Sequence, residues 1–392
     1  MQFAIRNGRA YDLQWFSSLK AARNQGSETG GLRAVALLIV SLAVATPLFA
    51  QQLDRASAPR ALEDTHRLEG EAIVAIADAA LAGKSTPADF QVQWQNEFLK
   101  AQRGTFIPFT LRIDASRFSK PAVLVYVRAV RRDPPPAPFR NDRAKSRVRR
   151  EGPVEEEFAV DAIFPAELAV EPGQIARISR GFTVAAGPYD VFIVVRERAA
   201  AGNAEPKAAV LKQGLVVPDF GAPGLATSSV ILADRLDVLK EPIPPEELAE
   251  RPYVIGQNDI TPATDRKLRK NEELIVVFLV YNPFVTPDKQ FDLQVEYHFY
   301  LKGGRDVTPW PSVQTPHPPE REGERYFNHT DPQRFNPAVL GSQFDAVGHP
   351  VMAGQGVPLA GFPVGDYRLA IRITDLLAGT SILRDVHFTV GS

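Results

Sequence analysis

Apolar and polar residues alternate along most of the chain from about residue 91 onward. Alternation with a period of two puts successive side chains on opposite faces, as in a β-strand with one buried face. Turn-forming stretches such as "EPGQ", "AAGP" and "AAGNAEP" separate the alternating segments. The pattern predicts strands over residues 105–114, 122–130, 156–164, 175–184, 189–197, 209–217, 228–236, 273–283, 291–301, 365–375 and 381–390.

Two segments before residue 91 follow other patterns. Residues 34–45 read "AVALLIVSLAVA" after Arg33, which is typical of a secretory signal, here with a cleavage site before Gln51. The alternative is a membrane anchor that is not removed, because the apolar run is close to the minimum length of a span. Residues 60–82 carry a helical stripe that Gly83 ends, so we expect one short helix there. The stripe consists of Leu62, Leu68, Ile73, Ile76 and Leu81.

Residues 173–195 and 354–373 share a skeleton of Gly-Gln, Gly-Phe and Gly-x-Tyr before an alternating segment. The first reads "GQIARISRGFTVAAGPYDVFIVV" and the second reads "GQGVPLAGFPVGDYRLAIRI". The glycine permits a sharp turn into the strand. Tyr189 or Tyr367 can then bury its ring while its hydroxyl bonds a nearby backbone group. A corner that recurs in both halves predicts a scaffold element rather than a ligand site.

On these residues the chain resembles tandem immunoglobulin-like or fibronectin-III-like modules, which contain a tyrosine corner of this kind. The resemblance implies an all-β fold of two tandem antiparallel immunoglobulin-like β-sandwiches, preceded by a signal segment and a short helix. Residues 228–236 are a candidate first strand of the second sandwich. We expect a leader at 1–50, a linker and helix at 51–90, the first sandwich at 91–218, a Pro-rich crossover at 219–252 and the second sandwich at 253–392.

Residues 228–236 and 258–283 are also similar to the C-terminal regions of exported bacterial proteins of the GWxTD type or related to von Willebrand A domains. The motifs of both families are absent. None of the three tryptophans lies in Gly-Trp-x-Thr-Asp, and the run from Asp114 to Phe118 departs from Asp-x-Ser-x-Ser at its last position. The resemblance therefore implies no activity that depends on those motifs.

Composition narrows the classes of function. The 392 residues include no cysteine, which excludes disulfides, thiolate metal sites and cysteine nucleophiles. A net charge of −1 gives no field that would favour nucleic acid. No Gly-x-Ser-x-Gly motif occurs. His317, His329 and His349, near Asp331 and Asp345, form only a loose cluster, so we expect no metal, no cofactor and no catalytic residue.

Two segments that do not repeat are the candidates for partner contacts. Residues 128–150 hold nine basic residues against two acidic ones, which indicates either a solvated loop or a docking loop for an anionic partner. Residues 302–350 are rich in Pro and charge and contain aromatic residues, which either cover the sheet or bind sugar or peptide. The candidate contact residues are Arg140, Arg143, Arg147, Arg149, Arg150, Trp310, Tyr326 and Phe327.

These observations favour a protein that is not an enzyme. We expect an exported scaffold module of the bacterial cell envelope, periplasmic or secreted, that binds an envelope or extracellular protein through sheet edges or loops. The alternative is a carbohydrate-binding or adhesion module that uses residues 302–350 to bind polysaccharide. A more remote alternative is an envelope hydrolase. No nucleic-acid partner is expected, and membrane contact would occur only through a leader that is not cleaved.

Overall fold

The computed structural model describes residues 64–114, 116, 118, 121–133, 158–168, 175–198, 205–303 and 317–392. The leader expected at 1–50 lies outside these residues. The helices are α1 (Asp64–Leu81), α2 (Pro245–Leu248) and α3 (Pro337–Leu340). The strands are β1 (Val92–Asn96), β2 (Leu99–Lys100), β3 (Thr105–Asp114), β4 (Ala122–Arg131), β5 (Val160–Glu167), β6 (Ile175–Val184), β7 (Gly187–Glu197), β8 (Ala208–Val217), β9 (Ala226–Thr227), β10 (Ile231–Val238), β11 (Val254–Ile255), β12 (Asn258–Pro262), β13 (Lys267–Arg269), β14 (Glu273–Tyr281), β15 (Leu293–Lys302), β16 (Glu324–His329), β17 (Gln333–Phe335), β18 (Val351–Pro358), β19 (Gly365–Asp375) and β20 (Thr380–Gly391).

The first sandwich consists of two four-stranded antiparallel sheets. In one sheet, β1 and β2 pair with successive stretches of β3, and β6 pairs with the other edge of β3. The second sheet has the order β5-β4-β7-β8. Because the strands alternate, one face of each sheet is apolar, and the two apolar faces pack together as a core. Buried core residues include Phe109, Leu111, Val125, Val127 and Ile193.

The second sandwich repeats this arrangement with additions. One sheet has the order β11-β12-β10-β14-β18, with β9 also paired to β14. The other has the order β13-β20-β19-β15-β16, with β17 also paired to β15. The pairing of β13 with β20 is parallel, and the other ladders are antiparallel. Among the described residues, no ladder joins a strand of the first sandwich (β1 to β8) to a strand of the second (β9 to β20).

The predicted fold class is confirmed: the chain is all-β, with two tandem antiparallel immunoglobulin-like sandwiches. The predicted strands at 105–114, 175–184 and 365–375 coincide with β3, β6 and β19. Residues 302–350, which carry no strand in the prediction, contain β16 and β17. The candidate strand at 228–236 overlaps β10, which pairs with β14 and so belongs to the second sandwich.

The Gly-x-Tyr corner lies where the chain leaves one sheet and enters the other, from β6 to β7 and from β18 to β19. Gly187 has φ +140°, a conformation that residues with a side chain rarely adopt, so the position favours glycine. Both tyrosine rings are buried. As predicted, the Tyr367 hydroxyl donates to the backbone carbonyl of Pro363, at 2.7 Å. The Tyr189 hydroxyl instead accepts a hydrogen bond from the Arg131 side chain, at 3.1 Å.

Helix α1 packs on the outer face of the β5-β4-β7-β8 sheet. Its buried residues Ile73 and Ala77 contact an apolar patch formed by Leu124, Tyr126 and Val194. The predicted stripe is only partly correct, because Leu68 and Leu81 at its ends are 58% and 39% exposed. Among the described residues, no helix has both the length and the apolar character that crossing a membrane requires.

Candidate functional site

Six of the eight predicted contact residues lie outside the described residues. Arg140, Arg143, Arg147, Arg149 and Arg150 fall within residues 134–157, for which the structure gives no description, and Trp310 falls within residues 304–316, for which the same holds. Their roles remain predictions. The structure does place the other two, Tyr326 and Phe327, both on β16.

Phe327 lies in the core of the second sandwich. Its ring packs against the rings of Phe362 and Tyr367, with centroids 5.0 and 5.7 Å away. Phe327 follows Tyr326 directly on β16, so the two side chains point to opposite faces, and that of Phe327 faces the core. Phe327 therefore stabilises the core and does not contribute to an exposed contact surface, which corrects the expectation from the sequence.

Tyr326 belongs to a group of rings on the outer face of the β13-β20-β19-β15-β16 sheet, which we call the outer-face cluster. The His317 imidazole stacks on the Tyr326 ring at 4.1 Å, and the Tyr300 ring meets it edge-on at 5.4 Å. The His298 Nδ1 atom lies 3.4 Å from the Tyr326 hydroxyl. The cluster consists of His298, Tyr300, His317, Tyr326 and His329.

Next to this cluster, Arg368 forms a buried ion-pair network. Its Nε donates to Glu324 at 2.7 Å and its Nη1 donates to Asp385 at 3.0 Å. The guanidinium lies 4.0 Å from the centroid of the Tyr300 ring. The backbone carbonyls of Pro318 and Pro319 accept hydrogen bonds from Tyr300 and Arg368, so this segment covers both side chains. The network satisfies a charge that would otherwise be costly to bury.

One imidazole of the outer-face cluster, that of His298, is held as a neutral group. Burial lowers the pKa of His298 to about 3, and the charges of Arg372, His329 and His317 act in the same direction. Burial also raises the pKa of Tyr300 to about 12. The Nε2 atom of His298 and the Nδ1 atom of His329 are buried and have no hydrogen-bond partner among the described residues. At neutral pH, His298 therefore carries no charge and does not serve as a proton donor of ordinary acidity.

The histidine group considered from the sequence is only partly assembled. His317 and His329 both lie beside Tyr326, whereas the His349 ring lies near Phe344 and its Nδ1 lies 3.1 Å from the backbone carbonyl of Asp345. Within the described ranges, no three His, Asp or Glu side chains are grouped so that they could hold a metal ion.

A second feature, which the sequence pattern does not indicate, is the junction between the two sandwiches. An apolar cluster combines Leu99 of the first sandwich with Ile231, Tyr253 and Tyr281 of the second. Phe220, from the connecting segment, joins the same cluster and packs against Tyr281 with ring centroids 5.1 Å apart. The two sandwiches therefore share buried apolar surface in addition to their covalent connection.

Hydrogen bonds cross the junction beside this cluster. The Phe98 amide donates to the Ser229 hydroxyl at 2.8 Å, and the Ser229 amide donates to the Phe98 carbonyl at 3.0 Å. The Lys100 amide donates to the Tyr281 hydroxyl at 3.0 Å. An ion pair at 3.0 Å joins Arg177 to Asp234. Phe98 lies between β1 and β2, where the chain turns away from β3. Its amide is therefore available to donate to Ser229.

Glu97 is buried in this break, and burial raises its pKa to about 7, although a hydrogen bond from Gln95 and the charge of Arg266 oppose the rise. A cleft of about 320 Å³ opens beside it, between β1 and β3 on one side and the loop after β12 on the other. Its lining includes Trp94, Arg112, Thr264 and Arg266. The cleft is polar and belongs to both sandwiches. The alternating pattern places Arg112 on a solvent-facing row and gives no sign of a neighbouring module there.

No protein-family model matches the chain, and no curated protein is similar to it in sequence. Solved structures that resemble it include Salmonella alpha-2-macroglobulin (12% identity, TM-score 0.19) and elastase-activated Escherichia coli alpha-2-macroglobulin (12%, 0.20), each aligned to 78% of this chain. This chain spans 15% and 24% of their lengths. A membrane-anchored protein from Corynebacterium diphtheriae aligns over 79% of this chain and 60% of its own (11%, 0.19). TM-scores of this size do not carry function from one protein to another.

Proposed function

We propose that the protein is a non-enzymatic interaction and scaffold module of the bacterial cell envelope, exported to the periplasm or secreted. It holds two immunoglobulin-like sandwiches at a fixed angle and so offers a protein partner one composite surface. The observation that carries this proposal is the junction, where the reciprocal hydrogen bonds between Phe98 and Ser229 flank a shared apolar cluster.

The junction supports a scaffold function because opening it would require free energy. Separating the sandwiches would expose the rings of Phe220 and Tyr281, which are 5% and 3% exposed in the folded protein. Modules joined only by a flexible linker pay no such cost. A fixed angle is useful to a protein that binds through surfaces on both modules.

Export is proposed from the apolar run at residues 34–45. N-terminal sequencing of the protein recovered from the envelope fraction tests this part directly. A mature chain that starts near Gln51 is the expected result. An N-terminus that retains residues 34–50 in a membrane pellet would instead support the uncleaved anchor.

The fixed angle is tested by distance measurement, which the absence of native cysteine makes straightforward. Val216 in the first sandwich and Val347 in the second are 73% and 77% exposed, so Val216→Cys and Val347→Cys accept spin labels without disturbing a core. Pulsed electron paramagnetic resonance should give one narrow distance distribution. Leu99→Asp, in the junction cluster, should broaden it, whereas Leu383→Asp, which is 41% exposed and outside that cluster, should not. A broad distribution in the unmodified junction contradicts the proposal.

Partner binding is tested with the same pair of variants. The purified protein, cross-linked to envelope proteins, should give one stoichiometric protein partner whose own tagged form captures this chain in return. Leu99→Asp should reduce this capture at least about tenfold if the partner contacts both sandwiches, since the composite surface is then lost. Capture that is absent from the unmodified protein, or a stable product formed from an added substrate, would contradict a non-enzymatic scaffold.

A further inference from the structure

The cleft at the junction contains an arginine, Arg112, that forms no ion pair with any of the residues that the structure describes. Arg112 extends from β3 in a row with Gln93 of β1 and Arg177 of β6, its partners in register. Its Nη1 donates weakly to the Thr264 carbonyl, at 3.4 Å. Its Nε is buried and has no hydrogen-bond partner within the part of the chain that the structure describes. No carboxylate of that part forms an ion pair with it.

The unused edge of this guanidinium has a definite shape. With Nη1 directed to Thr264, the edge formed by Nε and Nη2 has no acceptor among the described residues. Its two parallel N–H groups match the two oxygens of a carboxylate, which must displace the protein atoms that now cover Nε. The same chain shows this pairing between Arg334 and Asp292, where Nε and Nη2 donate to the two carboxylate oxygens. Arg198 directs the same edge to Glu69, with both groups donating to one oxygen, at 3.1 and 3.0 Å. Arg112 has the same fork without the carboxylate.

The neighbouring Arg177 provides a direct comparison with Arg112. It lies beside Arg112 on the same face of the same sheet and reaches the same second sandwich, yet it is paired with Asp234 at 3.0 Å. Position on the sheet therefore does not by itself leave an arginine unpaired. A buried N–H group without an acceptor, such as Nε of Arg112, is costly, and the cost is removed when an acceptor reaches it.

The opposite wall of the cleft adds polar groups that suit an anion. The Thr264 hydroxyl is buried and, among the described residues, has no hydrogen-bond partner. Arg266 lines the same cleft and has φ +53°, a left-handed conformation that is unfavourable for a residue with a side chain. Its backbone is held there because its carbonyl accepts from the Thr389 amide at 2.9 Å. Arg112, Arg266 and Thr264 thus line a space of about 320 Å³.

Glu97 lies near the cleft, and its charge and that of Arg266 interact. Burial keeps its pKa near 7, so below that pH it is mostly protonated and does not neutralise Arg266. The cleft then carries the charge of both arginines.

We propose that the cleft between the sandwiches binds a carboxylate group, with the Nε–Nη2 edge of Arg112 as its fork and with Thr264 and Arg266 as its other contacts. The volume suits a small organic acid or one acidic side chain of a peptide, near the lower end of ligand pockets. The site does not depend on partner binding by the scaffold, and either function can fail without the other.

The indole N–H signal of Trp94 reports on this cleft, because Trp94 lines it and its Nε1 donates to Asn96 at 2.7 Å. In the ¹⁵N–¹H spectrum of the full chain, the signal is assigned by its loss in Trp94→Phe. Three probes are titrated at pH 6: succinate, a capped peptide of alternating glutamate and glycine, and inorganic phosphate. The peptide with glutamine in place of glutamate is the neutral control. We expect a saturable shift with succinate or the acidic peptide and none with the control.

Variants of the cleft residues distinguish a specific binding site from general electrostatic attraction. Arg112→Gln should weaken binding by about tenfold or more, and Thr264→Val by a few-fold, whereas Arg177→Gln should change it less than about twofold. Arg112→Lys keeps the charge without the fork and should also weaken binding about tenfold, with an unchanged unfolding midpoint. This variant keeps the test valid if Arg112→Gln folds poorly.

The probes identify the source of the carboxylate. Similar affinity for succinate and the acidic peptide indicates a free organic acid, and affinity for the peptide at least about tenfold higher indicates an acidic protein segment; both support the proposal. No shift with either probe at about 10 mM, tighter binding of phosphate than of succinate, or equal losses in Arg112→Gln and Arg177→Gln would overturn it.

Discussion

The outer faces of the two sandwiches are covered in different ways, although the sheets beneath them follow the same strand order. In the first sandwich, helix α1 places Ile73 and Ala77 on an apolar patch. In the second, the segment around Pro318 covers rings and a guanidinium that hydrogen-bond to its backbone. The first cover therefore combines an apolar contact with ion pairs from the helix to Arg128 and Arg198, and the second is a polar network.

The difference shows that the strand pattern determines the core but does not determine which residues cover the outer face. Arg128 in the first sandwich and Arg368 in the second are both buried, at 3% and 1% exposure. The carboxylates that pair with Arg128, on Asp78 and Asp161, are 60% and 46% exposed. Glu324, which pairs with Arg368, is 5% exposed. A buried acid cannot recover its hydration when its partner is removed, and an exposed one can.

The different exposure of these carboxylates predicts the largest effect on stability. Arg368→Ala should lower the free energy of unfolding by about 3–5 kcal/mol, because it leaves Glu324 buried without a cation. Arg128→Ala should cost about 1–2 kcal/mol, because water reaches both of its partners. Urea unfolding followed by circular dichroism measures both values. Equal losses for the two variants would show that the two outer faces do not differ in this respect.

Truncation of a buried side chain of helix α1 should have the next largest effect on stability. Ile73 is fully buried against the sheet, so Ile73→Ala should cost about 2–4 kcal/mol. The loss should fall on the helix, which amide hydrogen exchange of α1 measures against that of β7. Leu68, on the same helix but 58% exposed, provides the matched control, and Leu68→Ala should change little. Faster exchange throughout the first sandwich would indicate that the helix is part of its core.

The polar cover should make the second sandwich more sensitive to acid. Because the folded state holds the pKa of His298 at about 3 against an ordinary 6.5, only the unfolded chain takes up this proton between those values. The contribution to stability is intact above pH 6.5 and is lost as the pH falls, by about 1–2 kcal/mol at pH 5. His298→Asn should remove this part of the pH dependence in unfolding experiments at pH 7 and pH 5. An unchanged slope would assign the acid sensitivity to other groups.

The smallest predicted effect compares two hydroxyl groups. Tyr126→Phe removes a hydrogen bond to the Asp161 carboxylate and should cost about 1 kcal/mol. Tyr326→Phe removes only a long contact with His298 and keeps the stacking on His317, so about 0.5 kcal/mol is expected. Thermal unfolding of the two variants measures the difference. A larger loss for Tyr326→Phe would mean that the outer-face cluster depends on that hydroxyl.

The sequence predicts those elements whose formation depends on local alternation. The strands β3, β6 and β19 are predicted to the residue, and the recurrent Gly-x-Tyr corner identifies the change of sheet at Tyr189 and Tyr367. The pattern misses β16 and β17 because a register shift at Tyr300 and the prolines nearby interrupt the alternation. It also assigns Phe327 to a loop surface, although the residue lies on β16 with its side chain in the core.

The candidate site could not be predicted in this way, because it depends on contacts between modules. Arg112 and Arg177 occupy the same pattern of polar positions, and only the packing of the second sandwich gives one of them a partner. Glu97 likewise occupies an ordinary polar position in the sequence, and its burial results from the approach of Ser229. Sequence periodicity reports which face of a strand is apolar but not what lies against the other face.

Glu97 couples the angle between the sandwiches to proton uptake. While the junction is closed, burial keeps the carboxyl largely protonated at pH 6, because its pKa is about 7. When the junction opens, the carboxyl regains water and an ordinary pKa near 4.5, so each opening at pH 6 releases close to one proton. The closed arrangement is therefore favoured as the pH falls from 7 towards 4.5, and it loses this advantage as the pH rises. In calorimetry, the heat of opening should depend on the ionisation enthalpy of the buffer, and Glu97→Gln should abolish that dependence.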